Sequence, residues 1–221
     1  MIVSTMNFKG GAGKTMVATN LAVAFAQKDM KVHIIDTDES SAATKWAGRR
    51  NEQDYVPSIP ISSITDPKTI VNTVRDLNEA NDFIIIDGPP RLNALVSKII
   101  LLSHLVIIPV PPKSGNDREV TEDFLERFEA IQEQRPDGGR TPAALLVNMV
   151  KDGYNLHRAF IASLPQLCDD YNVGMFNTQI SDLVAFGESN QFGQGITEYT
   201  KGKAKDQFES LIGEVETILN D

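Results

Sequence analysis

The sequence predicts a doubly wound α/β domain, a mostly parallel sheet flanked by helices on both faces. Three observations lead there. Short β-branched runs alternate with helical patterns along the chain. The runs FIII at 83–86 and LVIIP at 105–109 are almost wholly apolar, as strands covered on both faces must be. No repeat, low-complexity tract or linker breaks the alternation, so one domain is expected over residues 1–221.

Taken in order, residues 2–6 read as the first strand. Residues 14–28 read as a helix with Val17, Leu21, Ala24 and Phe25 on one face. A second strand is predicted at Val32–Asp36 and a second helix at 41–50. Helical stretches at 67–80 and 93–102 precede the two apolar strands. A helix over 117–134 leads to a strand at Ala143–Val147, and 155–170 is helical again. The Pro- and Gly-rich pieces at 109–115 and 136–142 have the length of ordinary loops.

Composition narrows the function. The 221 residues are 41% hydrophobic and 23% charged, ordinary for a globular protein. With 21 basic and 30 acidic side chains the formal charge is −9, so nucleic acid could be bound only through a local basic patch. The single cysteine, Cys168, excludes a disulfide framework and a four-thiolate metal site within one chain, and reads as a small buried hydrophobe. The longest apolar run, 99–110, is interrupted by Ser103, His104 and Pro109, too short and broken to span a bilayer. Residue 2 already opens a strand, so no signal peptide is expected and the chain reads as cytoplasmic. His33, His104 and His157 are scattered and read as structural. Trp46 and the stripe Phe124, Leu125, Phe128, Ile131 read as packing.

The chemistry is concentrated near the start, in NFKGGAGKTM at 7–16. The eight-residue pattern Gly-x-x-x-x-Gly-Lys-Ser/Thr would begin at position 8, which is Phe, so the strict form is missed. Gly10, Gly11, Ala12, Gly13, Lys14 and Thr15 nonetheless sit between a predicted strand and a predicted helix, where a phosphate-binding loop works. Glycines let successive N–H groups turn onto phosphates, and the helix N-terminus adds positive charge. Lys14 would reach the β- and γ-phosphates, and the Thr15 hydroxyl would ligate Mg²⁺. Asp36-Thr37-Asp38 follows the strand VHII, and Asp87 ends FIIID before Gly-Pro-Pro. Ligands of open α/β sheets bind beyond the carboxyl ends of the strands, so all three loops are expected to meet in one crevice.

Together, KGGAGKT with its early lysine, DTD and the DGPP stretch resemble the ParA/MinD family of deviant Walker ATPases, and the length is most similar to small plasmid-partition ParA proteins. The resemblance implies a P-loop fold, ATP and Mg²⁺ as ligands, and a nucleotide-sandwich homodimer in which Lys9 reaches the other subunit's ATP, as an arginine finger would. It also implies that Asp38 positions the attacking water, that Asp36 and Asp87 stand near Mg²⁺ through waters, and that Asn148 hydrogen-bonds adenine. The 109–117 loop would line the nucleotide and the dimer interface. Two departures touch nucleotide affinity and hydrolysis rate. Met16 stands where the family usually has Thr or Ser beside the α-phosphate, and Glu39-Ser40 stands where Pro-Gln is usual.

Family members differ in partner, and the rest of the chain bears on that choice. The last helix places Ala204, Phe208, Leu211, Ile212, Val215, Ile218 and Leu219 at helical spacing. After Lys205 its charges, Asp206, Glu209, Glu214, Glu216 and Asp221, are all acidic. Anionic lipid would repel that face, so no membrane partner is expected and the helix should pack on the sheet. Lys201, Lys203 and Lys205 form the candidate DNA patch, doubled in a dimer and salt-sensitive. No helix-turn-helix is expected ahead of Met1, so nonspecific DNA binding and a nucleoid-associated protein are the expectation. The expected role is plasmid partition, with hydrolysis stimulated by a centromere-binding, ParB-like partner. The alternatives are a ParA-like positioner of another cargo (a chemoreceptor cluster, a protein microcompartment or transfer DNA), a MinD-like membrane regulator, or a metabolic P-loop enzyme.

Overall fold

The computed structural model describes every residue except Asp54, Val56, Pro136, Thr200 and Asp221. Thr200, at the edge of the lysine cluster, Asp221, the last acidic position, and Pro136, in the second loop, therefore lie outside the described residues. Strands β1 (Ile2–Thr5), β2 (Val32–Asp36), β3 (Ile61–Ser63), β4 (Phe83–Asp87), β5 (Leu105–Val110), β6 (Ala143–Val147) and β7 (Gly174–Met175) pair in the order β3-β2-β4-β1-β5-β6-β7. Every pairing among them is parallel. β1, β4, β5 and β6 are buried along their whole length, which is why their sequences run apolar without alternation.

The helices are α1 (Lys14–Ala26), α2 (Ala42–Glu52), α3 (Ile70–Ala80), α4 (Ala94–Leu102), α5 (Asp117–Gln132), α6 (Asn155–Tyr171), α7 (Val184–Gln191), α8 (Ile196–Tyr199) and α9 (Lys203–Asn220). One core joins α1, α2 and α7–α9 to one face of the sheet, through Leu21, Phe25, Trp46, Phe186, Ile196 and Phe208. The other core sets α3–α6 on the opposite face, through Val74, Ile99, Phe124, Phe128 and Leu164.

α1 corrects the one-face expectation. From Val17 onward its apolar side chains are buried all round, because α8 and α9 pack over the surface that a simple α/β layer would leave to solvent. α9 packs against this core as expected, burying Ala204, Phe208, Leu211, Ile212 and Val215. Each of the larger side chains contributes about 1.5–3 kcal/mol. Its acids are engaged too: Glu214 accepts from Asn177 N and Thr178 N, and Glu216 pairs with Lys28.

Four elements escaped sequence reading. β3 and β7 are edge strands of three and two residues, too short and too polar or Gly-bearing to show a period. α7 contains Gly187, and α8 is a single turn. Cys168 is half-buried at the margin of the second core, its Sγ 3.7 Å from the Gly174 carbonyl oxygen, and so is less enclosed than expected.

The isolated histidines are structural. His33 Nε2 lies 2.9 Å from Ser62 Oγ, His104 Nδ1 accepts from Ile2 N (3.0 Å), and His157 Nδ1 accepts from Lys151 N (2.9 Å).

Candidate functional site

The sheet register builds the floor of the site. Thr5 of β1 stands opposite Asp87 of β4, and Asp87 stands opposite Asp36 of β2, so one row at the carboxyl ends of three neighbouring strands carries a hydroxyl and two carboxylates. Both carboxylates are buried. β4 is the central strand of this row, β1 is the middle strand of the whole sheet, and the chain leaves β1 directly into the glycine-rich loop.

Local geometry explains the loop composition. Gly11 (φ +71°) and Gly13 (φ +94°) adopt left-handed backbone that side-chain-bearing residues avoid. At Gly13 a Cβ would also stand 2.2 Å from Asn148 Nδ2. Asn148 is fully buried after β6; its Nδ2 donates to the Ala12 carbonyl (2.8 Å) and its Oδ1 accepts from Met149 N (3.0 Å). In this geometry the asparagine holds the loop itself. Asn7, buried at the loop's entry, donates to the Pro109 carbonyl (2.7 Å) and accepts from Lys9 N (2.8 Å), tying the loop to the end of β5.

The charged groups follow. Lys14 is buried, with Nζ 3.4 Å from the Lys9 carbonyl; burial lowers its pKa, while Asp87 and Asp38 pull the other way. Thr15 Oγ1 donates to Asp87 Oδ2 at 2.6 Å, and Thr5 Oγ1 lies 3.4 Å from Oδ1. Burial raises the Asp87 pKa to about 7. Asp36 and Asp38 push in the same direction, and the Thr15 bond and Lys14 oppose them.

Asp36 accepts from Asp38 N (3.1 Å) and from both N and Oγ1 of Thr44 (2.8 Å each), so it binds the first turn of α2 to the strand end. Asp38 projects further out and accepts from Ser40 N (2.9 Å).

Lys9 pairs with Asp117, the first residue of α5, which is buried and also accepts from Ser114 Oγ at 2.7 Å. Lys113, from the same β5–α5 loop, donates to the Gly11 carbonyl (3.3 Å). Asn7 was missed as a site residue, and Lys113 and Asp117 were expected only as part of the 109–117 loop and not singled out. Asp117 lies 108 positions from Lys9 and reads locally as a helix-start acid, so no local pattern points to it.

The cleft above this floor has two lobes. A polar lobe of about 610 Å³ is lined by residues 10–16, Asp38, Lys45, Arg49 and Pro90. A more apolar lobe of about 880 Å³ is lined by residues including Leu183, Val184 and Phe186. Met16, Met149 and Asn190 line both, so the lobes adjoin along one edge. A polyanion in the first lobe and a planar apolar ring in the second would be accommodated by this cleft.

The residues fit a divalent cation at the Thr15 hydroxyl. The carboxylates of Asp36 and Asp38 raise the cost of ionising Asp87, and a cation would offset that. Among the described residues no three His, Cys, Asp or Glu side chains converge to hold a metal by themselves. The arrangement offers one hydroxyl ligand backed by carboxylates.

Lys203 and Lys205 do not meet in this site. Lys203 pairs with Asp152 (2.9 Å); Lys205 pairs with Glu209 (3.6 Å) and donates to the Thr197 carbonyl (3.3 Å). Such exposed pairs are worth about 0–1 kcal/mol and yield readily to phosphates. Lys201 and Lys203 are exposed beside them and Lys205 is half-buried. No helix among the described residues is long and apolar enough to cross a membrane.

Comparison with known proteins agrees with this geometry. Residues 3–196 match the CobQ/CobB/MinD/ParA nucleotide binding domain family. Maintenance of carboxysome distribution protein A of Halothiobacillus neapolitanus is 25% identical over 220 residues, covering 96% of this chain and 95% of the relative. The chromosome-partitioning ATPase Soj of Thermus thermophilus is 24% identical, covering 89% and 87%. In three dimensions the ATP complex of Cyanothece McdA(D38A) superposes with a TM-score of 0.77 at 16% identity, covering 99% of this chain and 96% of that one.

Proposed function

The chain belongs to the CobQ/CobB/MinD/ParA nucleotide-binding family, and from that premise we propose that it is an ATP-driven dimerising switch of the ParA type. ATP would lie with its phosphates on residues 10–15 and its base in the apolar lobe. Mg²⁺ would be held by Thr15, with Asp36 and Asp87 behind it, and would neutralise phosphate charge when bound. Lys14 supplies a buried cation to the β- and γ-phosphates. Asp38, the outermost carboxylate of the floor, orients the attacking water. Lys9 stands at the cleft rim, and on dimerisation it exchanges Asp117 for the partner's γ-phosphate. This couples nucleotide occupancy to assembly and makes the protein an ATPase.

The observation that carries this reading is the gathering of Lys14, Asp36, Asp38 and Asp87 about one glycine-rich loop at the ends of β1, β2 and β4, with Lys9 of the same loop turned to Asp117. In the ATP state the dimer would bind nonspecific DNA, with Lys201, Lys203 and Lys205 as contacts. A centromere-binding partner would stimulate hydrolysis and so move a plasmid across the nucleoid. A second cargo is favoured by the end-to-end likeness to a carboxysome distribution protein, namely a protein microcompartment positioned by the same cycle.

The test is binding to random-sequence duplex DNA with ATP, with ADP and without nucleotide, across a salt series. ATP-dependent binding that weakens with salt is expected. Binding in no state would remove the DNA track and leave a protein or membrane surface in its place. The cargo is then decided by deletion, according to whether a low-copy plasmid is lost or a protein body becomes misplaced.

A further inference from the structure

The boundary between the two lobes has an unusual chemistry. Met16 occupies it from the loop side, in the first turn of α1, and its thioether cannot donate a hydrogen bond. The part of a nucleotide that crosses from a phosphate cradle to a base pocket is the α-phosphate, which is anionic. On the loop side it would meet a sulfur.

The wall that α2 contributes differs. Arg49, on α2, lines the polar lobe, with Lys45 one turn earlier on the same face. Arg49 Nε donates to the Asn190 backbone carbonyl (3.1 Å) and Nη2 to the Asn190 side-chain oxygen (3.0 Å). Asn190 itself lines both lobes. The guanidinium is thus fixed in orientation at the lobe boundary by two of its five N–H groups, and the others remain for a ligand. Lys45 Nζ is directed to the Ser40 carbonyl (2.8 Å), nearer Asp38.

We propose that Arg49 is a nucleotide-positioning residue that holds the α-phosphate from the α2 side, supplying the donor that Met16 cannot. The inference rests on the ATP-binding reading above. Because α2 is capped by Asp36 through Thr44, this contact also connects the α-phosphate to the strand end that carries Asp36 and Asp38.

Calorimetric titration of ATP, ADP and adenosine into the wild type, Arg49→Ala and the double variant Arg49→Ala/Met16→Thr tests it, with ligand-free melting temperatures measured alongside. One charge-assisted hydrogen bond lost should weaken ATP and ADP alike, by about tenfold or more, and leave adenosine unaffected. A hydroxyl at position 16 in the double variant should recover a severalfold part of that loss, which a purely structural tie between α2 and α7 would not allow. Unchanged affinities in Arg49→Ala, a loss confined to ATP, or a loss that Met16→Thr leaves untouched would each overturn the proposal. Failure of the wild type to bind any adenine nucleotide would instead overturn the underlying function.

Discussion

Replacing Asp87 by asparagine tests the electrostatics of the site directly. Asp87 is completely buried, and its neighbours include the carboxylates of Asp36 and Asp38. Its pKa rises from the ordinary 3.8 to about 7. In the unfolded chain the proton leaves near 3.8, while in the fold it stays until about 7, so the folded state binds more protons between those values. Stability therefore falls as pH rises through that window and is flat above it. At about 1.4 kcal/mol per pH unit the full penalty is roughly 4 kcal/mol at pH 8 and about 1 kcal/mol at pH 4.5.

Asparagine keeps the shape and the acceptor for Thr15 Oγ1, can donate to Thr5 Oγ1, and carries no charge. Asp87→Asn should stabilise the protein by about 2–4 kcal/mol at pH 8 in nucleotide-free, EDTA-containing buffer, and by about 1 kcal/mol at pH 4.5. Urea unfolding at the two pH values measures both differences. A variant less stable than wild type at pH 8, or a difference independent of pH, would refute the assignment of a destabilising buried carboxylate. The same variant should lose Mg²⁺-dependent nucleotide binding, a gain of stability at the cost of function.

Two further outcomes follow from the charges around the loop. Lys9→Ala should still bind ATP but lose stimulated turnover, and normal single-turnover hydrolysis would exclude its action across a dimer. Because it leaves Asp117 buried without its cation, this variant should also melt lower, by about 1–3 kcal/mol of stability. Asp38→Ala should retain ATP in a long-lived dimer, visible by light scattering as a doubled mass that persists for hours; a dimer that decays at the wild-type rate would remove Asp38 from the hydrolytic step.

What was legible in the sequence was local. NFKGGAGKTM is contiguous, and each carboxylate follows an unmistakable strand, so the loop, Asp36, Asp38 and Asp87 could be named before any fold was known. Periodicity also exposed α9, because its apolar stripe and its acidic charges point to packing and against a lipid surface. Long-range pairing was illegible. Nothing near Asp117 indicates that Lys9 will reach it across more than a hundred residues, and nothing near Asn190 indicates that Arg49 will be anchored there. Short elements failed for a different reason. With Gly187 inside α7 and two residues in β7, neither element has local preference enough to show; tertiary contacts make them.

Two buried charges in the same chain show how such groups can be sorted by role. Arg50 is fully buried, yet its guanidinium reaches Pro57 O, Gly193 O and both carboxylate oxygens of Glu198. It closes α2 onto α8 with its donors satisfied, and Gly193 is required there because a Cβ would stand 2.3 Å from Arg50 N. A charge so completely matched has nothing left to offer a ligand, and its role is structural. Asp87 is equally buried but faces two other carboxylates, with the Thr15 hydroxyl and Lys14 as its main relief. Folding holds that arrangement at a net electrostatic cost, which a cation and a polyphosphate bound together would reverse. The unresolved charge therefore marks the working end of the molecule more specifically than burial or cleft size does, since the larger of the two lobes is the less polar one.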